Sequence, residues 1–127
     1  MATTTNITDT IKTFEDAMTA TGRPAVPDLT AFPEDMREYF AAHYKLAVIA
    51  EALNEGWNAD WSDDDQEKWF PWFHCKSGSS SFAFSDTNYC YSGAHAGGAS
   101  RLCFETDAKA EYAGRQFVDL WNIVLLK

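Results

Sequence analysis

Basic residues are scarce in this chain of 127 amino acids. Ten lysines and arginines stand against nineteen aspartates and glutamates, which gives a formal charge of −9. A protein that binds the phosphate backbone of nucleic acids needs lysine and arginine to displace counterions, so direct nucleic-acid binding is disfavoured. The charge favours a basic partner surface or a cation instead.

Cysteines are few, and their number is odd. Cys75, Cys90 and Cys103 include no Cys-x-x-Cys pair. They cannot all pair within the chain, which indicates reduced thiols and a cytoplasmic setting. Long apolar runs are also missing, since none approaches the ~20 residues of a membrane span. The N-terminus lacks the basic and apolar regions of a signal peptide. We therefore expect a cytoplasmic protein with no membrane partner.

Three segments carry apolar residues at the spacing of an α-helix. The first runs over residues 8–20 and stops before Gly22, and the second and strongest runs over residues 33–54. The third begins after Thr106, whose hydroxyl suits an N-cap, and continues to the end of the chain. The sequence therefore predicts about three helices.

Between the second and third helical segments the apolar period changes from 3.6 to 2, which indicates strands. The candidate strands are residues 69–75, 81–85, 89–91 and 100–104. The gaps between them are of hairpin size, so the sheet should be antiparallel. This order predicts an α+β fold, with a three- to four-stranded antiparallel sheet packed against about three helices. We expect a single domain over residues 1–127, with residues 1–6 frayed.

Aromatic and acidic residues are concentrated between residues 56 and 74, which hold four of the five tryptophans. Strand alternation cannot bury all of these rings on one side, so part of the aromatic surface should be exposed. Exposed tryptophans beside acidic groups are typical of protein interfaces. We therefore predict a surface for a protein partner or for a second copy of the chain. Its predicted residues are Trp57, Trp61, Asp63, Asp64, Asp65, Trp69, Trp72 and Phe73.

Several sequence segments carry a family resemblance. They are Lys-Thr-Phe-Glu-Asp-Ala (12–17), Thr-Gly-Arg-Pro (21–24), Ala-Leu-Asn-Glu-Gly-Trp (52–57), Trp-Phe-Pro-Trp-Phe (69–73), Ser-Arg-Leu-Cys-Phe (100–104) and Ala-Glu-Tyr-Ala-Gly-Arg-Gln-Phe (110–117). In these segments the chain resembles a family of small uncharacterised proteins encoded by gut Bacteroidetes and their bacteriophages. One departure is Trp69-Phe70, where two tyrosines are expected. The family has no established activity, so the resemblance implies a phage or mobile-element context in a bacterial host and no particular reaction.

Metal binding is a weaker interpretation. An acidic run offers oxygen ligands for calcium, but it departs from an EF-hand because Asp65 or Lys68 stands where the loop needs glycine. A solvated loop explains the run more simply. A zinc site would draw on His74, Cys75, Cys90, His95 and Cys103, whose spacing lacks the usual close ligand pairs. We expect neither a metal nor another cofactor.

Two other function classes stay open. A small thiol- or metal-dependent hydrolase would use Cys75 with His74 or His95, or bring Cys103 beside a histidine in a pocket. A glycan- or small-molecule-binding module would show a groove lined by two coplanar aromatic faces. The leading hypothesis is a non-enzymatic interaction module, in one version mimicking the charge of DNA toward a basic host protein.

Overall fold

A computed structural model of the chain describes residues 6–75, 78–93 and 100–126. It confirms the predicted α+β class and the antiparallel pairing. The predicted element counts are wrong, because the described residues form five α-helices and a two-stranded sheet. Residues 1–5, predicted to be frayed, lie outside this range, and Asn6 caps the first helix. The elements are α1 (Ile7–Thr10), α2 (Phe14–Thr21), α3 (Glu34–Asn54), β1 (Lys68–Cys75), β2 (Phe82–Cys90), a 3₁₀ helix (Ser100–Leu102), α4 (Asp107–Gln116) and α5 (Val118–Leu126).

Two predicted helices are each divided in two. The first restarts at Thr13, whose hydroxyl accepts the Asp16 N–H at 3.1 Å while the Asp16 carboxylate accepts the Thr13 N–H at 3.1 Å. This capping box satisfies donors that a helix start leaves unpaired, so it favours a new start there. The last helix is interrupted at Phe117, which has φ −113° and ψ 28°. Extra helices therefore come from local breaks, not from new segments.

The core lies around α3, which packs against α2 on the N-terminal side of the chain and against the 3₁₀ helix, α4 and α5 that follow the sheet. The long helix ends at Asn54 as predicted, and Glu55 and Gly56 then adopt positive φ angles of 50° and 88°. The Tyr112 hydroxyl of α4 donates to the Ile11 carbonyl at 2.5 Å and so joins the two ends of the chain. Fully buried side chains of this core include Ile11, Leu46, Ile49, Leu53 and Phe104.

The predicted strand over residues 100–104 is wrong. Ser100–Leu102 form a 3₁₀ helix, and only Phe104 makes a β-bridge, with Trp69. The Asn54 side chain takes over the role of a strand partner: it donates to the Cys103 carbonyl and accepts the Glu105 N–H, both at 3.0 Å. Since these backbone groups are satisfied by a buried carboxamide, the segment needs no ladder of hydrogen bonds.

The outer edge of β2 faces away from β1. Trp69 directs both of its backbone groups to Phe104, at 2.9 and 2.7 Å. Tyr89 is paired with Trp69 and therefore directs its own groups to the opposite edge of the sheet. There the Asn88 side chain accepts the Tyr89 N–H at 2.8 Å. This amide is thus occupied by a neighbouring side chain.

Other side chains cover the same edge. Asp86 accepts the Thr87 N–H at 2.8 Å. Further along β2, Asn122 of α5 pairs with the N–H and carbonyl of Phe82 at 2.6 and 2.9 Å. Backbone groups occupied in this way are poor templates for another strand, and proteins commonly protect sheet edges by such means.

Removing this protection should promote association. We expect the Asp86→Ala/Asn88→Ala variant to form dimers or larger species that grow with concentration, because two edge amides lose their acceptors. Size-exclusion chromatography with light scattering measures the mass. The control, Asp9→Ala/Asn58→Ala, removes the same side-chain types away from the sheet. Identical mass distributions for the two variants would contradict the prediction.

Candidate interaction surface

Lys68, the first residue of β1, is fully buried. Its Nζ donates to three backbone carbonyls, those of Asp63 at 3.2 Å, Gln66 at 3.1 Å and Tyr91 at 2.5 Å. The ammonium also lies 5.1 Å from the centre of the Trp61 ring. An ammonium has three donors, so each finds an acceptor and the buried charge is tolerated. Lys68 thereby ties residues 57–67, here called the acidic loop, to the end of β2.

Carboxylates of the acidic loop also hold its shape. Asp60 accepts the N–H and the hydroxyl of Ser62 at 3.0 and 2.6 Å, and these hydrogen bonds lower the pKa of Asp60. Asp64 accepts the hydroxyl of Ser92 at 2.6 Å, which links the loop to the segment after β2. Such local side-chain bonds are typical of Asp in turns. The conformation of the acidic loop is therefore fixed by hydrogen bonds of its own carboxylates.

A row of aromatic rings stands beside the acidic loop. The ring centres of Trp69 and Tyr89 lie 4.8 Å apart, and those of Tyr89 and Tyr91 lie 5.4 Å apart. The two tyrosines are 43% and 41% exposed. Trp69 Nε1 donates to Glu67 at 3.1 Å. A hydrogen bond with Tyr89 raises the pKa of Tyr91, and the charges of Glu67 and Asp65 raise it further. Asp65, Glu67, Trp69, Tyr89 and Tyr91 are here together called the acidic–aromatic surface.

The eight residues predicted for the interface lie in three places. One group lies in or beside the acidic loop, and it alone adjoins the aromatic row. A single tryptophan, at the start of the acidic loop, lies away from that row and lines a cleft along α3. The remaining pair lines an apolar groove of about 320 Å³ against α5. In that order the groups are Trp61, Asp63, Asp64, Asp65 and Trp69; then Trp57; then Trp72 and Phe73.

Sequence reasoning missed Lys68, Glu67, Tyr89 and Tyr91. The alternation at residues 89–91 was a usable signal, since it marks a strand with both tyrosines on one face. The alternation does not reveal the strand register, which pairs Tyr89 with Trp69. Nothing in the sequence marks Lys68 as buried, because one of its three acceptors, the Tyr91 carbonyl, lies 23 residues further along the chain and is brought close by the pairing of β1 with β2.

Coplanar aromatic faces, which the glycan-binding alternative requires, do not occur in the tryptophan pairs of this region. The rings of Trp69 and Tyr89 are tilted by 49°, and those of Phe70 and Trp72 by 39°. Trp72 is 51% exposed, whereas Phe70 on the same face of the strand is 6% exposed. Tilted, unequally exposed rings offer no flat platform for a sugar.

The thiols do not form a catalytic pair in the part of the chain that the structure describes. Cys103 is fully buried, and burial raises the pKa of its thiol to about 11. Cys75 contacts the carbonyl of Ser79 at 3.1 Å, and neighbouring His74 is exposed. No hydrogen bond joins a described thiol to a described histidine, and His95 lies outside the described residues. A thiolate nucleophile needs a lowered pKa, which Cys103 lacks.

Over residues 6–75, 78–93 and 100–126, no three His, Cys, Asp or Glu side chains form a group that could hold a metal ion. No helix within those ranges combines the length and apolar character needed to cross a bilayer.

Comparisons with known proteins add no assignment. No family model, curated protein or solved structure matches the chain.

Proposed function

We propose that this protein is a non-enzymatic interaction module whose acidic–aromatic surface binds a basic segment of a partner protein. The observation that carries the proposal is a row formed by the half-buried Trp69 and the exposed Tyr89 and Tyr91, beside the carboxylates of Asp65 and Glu67. Aromatic faces and carboxylates within one patch are complementary to the side chains of arginine and lysine.

Each half of the surface contributes a different interaction. A guanidinium or ammonium over a tyrosine ring gains ~0.5–1 kcal/mol at an exposed site. A carboxylate adds a charge-assisted hydrogen bond, and arginine can form two with one carboxylate. An arginine-rich segment can make both kinds of contact at once, so arginine should be preferred over lysine.

The shape of the surface is set before a partner arrives. Lys68 holds the acidic loop through two of its carbonyls and ties it to the Tyr91 carbonyl, and Asp64 holds the loop through Ser92. A preorganised surface loses little conformational entropy on binding. The formal charge of −9 should also speed the approach of a basic partner at low salt.

The biological setting of this proposal is the cytoplasm of a bacterial host that carries the phage or mobile element. The partner would be a basic host protein, and in one version the acidic surface occupies the site where that protein binds DNA. Support for this version is the charge of the chain together with the family resemblance. Self-association is the competing use of the same surface.

Binding of a fluorescein-labelled hepta-arginine peptide tests the proposal. We expect Tyr89→Ala/Tyr91→Ala to weaken binding about tenfold, since two cation–π contacts are worth ~1–2 kcal/mol. We expect Asp65→Asn/Glu67→Gln to weaken binding and to reduce its salt dependence. Fluorescence anisotropy at two salt concentrations measures both effects, and hepta-lysine should bind more weakly.

Matched controls separate this surface from general attraction to an acidic protein. Asp9→Asn/Glu15→Gln removes the same charge from exposed positions on α1 and α2. Trp72→Ala removes an exposed ring of β1 that lines the apolar groove against α5 and not the acidic–aromatic surface. If the controls weaken peptide binding as much as the surface variants do, the proposed site is wrong.

A further inference from the structure

A cleft runs along α3, away from the acidic–aromatic surface. It consists of two adjoining cavities of about 310 and 350 Å³, which share Arg23, Ala47, Glu51 and Arg101 in their linings. Trp57 lines one cavity. The small side chain of Ala47 leaves room between the longer ones. Volumes of this size are typical of sites for small molecules, roughly 300–1,000 Å³.

Charged groups in the cleft are unevenly paired. Arg23 binds Glu51 at two points, Nε to Oε2 at 2.9 Å and Nη2 to Oε1 at 2.8 Å. This pairing lowers the pKa of Glu51, so its carboxylate is charged at neutral pH. Arg101 makes no hydrogen bond or ion pair with any described residue, although its charge also lowers the pKa of Glu51. The two arginines and one glutamate together give the cleft a net charge of +1.

The walls of the cleft are held in place. The Tyr44 hydroxyl of α3 donates to the Pro24 carbonyl at 2.6 Å, which fixes the connector that carries Arg23. On the other side, the Trp61 indole donates to the hydroxyl of Ser100, next to Arg101. A cationic side chain is thus presented in a formed cavity, in a chain that is otherwise strongly acidic.

From this geometry we infer that the cleft binds a small aromatic carboxylate. Its carboxylate pairs with the guanidinium of Arg101, in the geometry that suits two parallel hydrogen bonds. Its ring lies against Trp57 and over Ala47. Because Glu51 repels additional negative charge, a singly charged carboxylate fits better than a doubly charged phosphate. The site is independent of the surface proposed for the protein partner.

Titration of the whole protein with 2-naphthoate tests the inference, with chemical shifts of the backbone amides as the signal. Shifts should concentrate around Trp57 and Arg101. We expect uncharged 2-naphthamide to bind at least about fivefold more weakly, and adenosine monophosphate to bind more weakly than 2-naphthoate.

Three variants test whether 2-naphthoate binds through the charged residues of the cleft. Arg101→Gln should weaken 2-naphthoate binding about fivefold or more, because it removes the unpaired charge. Glu51→Gln should strengthen it, because it removes a repulsive charge and releases Arg23. The control, Arg115→Gln, changes an exposed arginine on α4 and should have no effect. Equal binding of naphthamide, tighter binding of adenosine monophosphate, or an Arg101→Gln variant that matches the control would overturn the inference.

Discussion

Lys68→Met should lower the free energy of unfolding by about 3 kcal/mol, since removing one partner from a buried, charged hydrogen-bonded group typically costs that much. Methionine keeps the length and apolar character of the side chain but has no donor. The carbonyls of Asp63, Gln66 and Tyr91 would each lose the same ammonium. The loss is therefore of hydrogen bonds, not of packing.

Urea unfolding monitored by circular dichroism measures this change. Lys12→Met is the matched control, because Lys12 is exposed and its replacement should change the stability by less than about 0.5 kcal/mol. Cleavage by a glutamate-specific protease adds a local measurement, since a released acidic loop should be cut faster at Glu67. Equal stabilities of the two variants would show that the three carbonyls do not depend on Lys68.

The same substitution tests how the loop serves the proposed function. If Lys68 holds Asp65 and Glu67 beside the aromatic row, Lys68→Met should also weaken binding of the hepta-arginine peptide under conditions where the variant is folded. The formal charge becomes more negative by one, which on its own would strengthen binding. A weaker complex would therefore report the position of the carboxylates and not the net charge.

Helix ends were the most predictable part of the fold. The signals at the end of α3, at Gly22 and at Thr106 are local, because each satisfies backbone groups within one turn. Gly22 adopts a φ of 75°, and the Thr106 hydroxyl accepts the Lys109 N–H at 3.2 Å. The break before α2 was equally local, since Thr13 and Asp16 form a readable capping box, but the apolar period across it concealed the break.

The sheet was less predictable because its partners are distant in sequence. The alternation at residues 100–104 suggested a strand, yet Leu102, Cys103 and Phe104 are all buried in succession. A carboxamide from α3, Asn54, supplies the hydrogen bonds that a strand would have supplied. The two strands predicted over residues 81–85 and 89–91 are replaced by one continuous strand, β2 (Phe82–Cys90), with a bulge opposite Trp72 and Phe73. Tertiary context overrides local pattern in both cases.

The candidate surface was likewise predictable in its local features and not in its tertiary arrangement. A concentration of tryptophans and carboxylates was visible in the sequence, and part of it does lie together. Strand alternation places Trp72 on the opposite face of β1 from Trp69, and Trp57, at the start of the acidic loop, lines the cleft along α3. A lysine among acidic residues is normally solvated. Only the three-dimensional arrangement of carbonyls makes Lys68 a buried anchor.

Gly114→Ala should destabilise the protein by about 2 kcal/mol, although alanine favours a helix interior over glycine by ~1 kcal/mol. A Cβ at this position of α4 would lie 2.5 Å from Cδ1 of Phe84 and 2.9 Å from Cβ of Pro71. The Pro71 ring is rigid. The Phe84 ring is stacked under the guanidinium of Arg115, which lies 4.6 Å from the ring centre. A Cβ at this position therefore requires a shift of α4 away from β1 or a turn of the Phe84 ring out of its contact with Arg115.

Thermal or urea unfolding decides the sign of the Gly114→Ala effect. Glu111→Ala, at an exposed position of the same helix, is the control and should change stability by less than about 0.5 kcal/mol, because its contact is an exposed ion pair with Arg115. In the double variant Gly114→Ala/Phe84→Ala the closest contact is gone, so the loss should be smaller than the sum of the two single losses. A stabilised Gly114→Ala variant would mean that helix propensity outweighs the contact with the sheet. A destabilised one, partly rescued by Phe84→Ala, would show that α4 lies on β1 and β2 at the distance that only glycine permits.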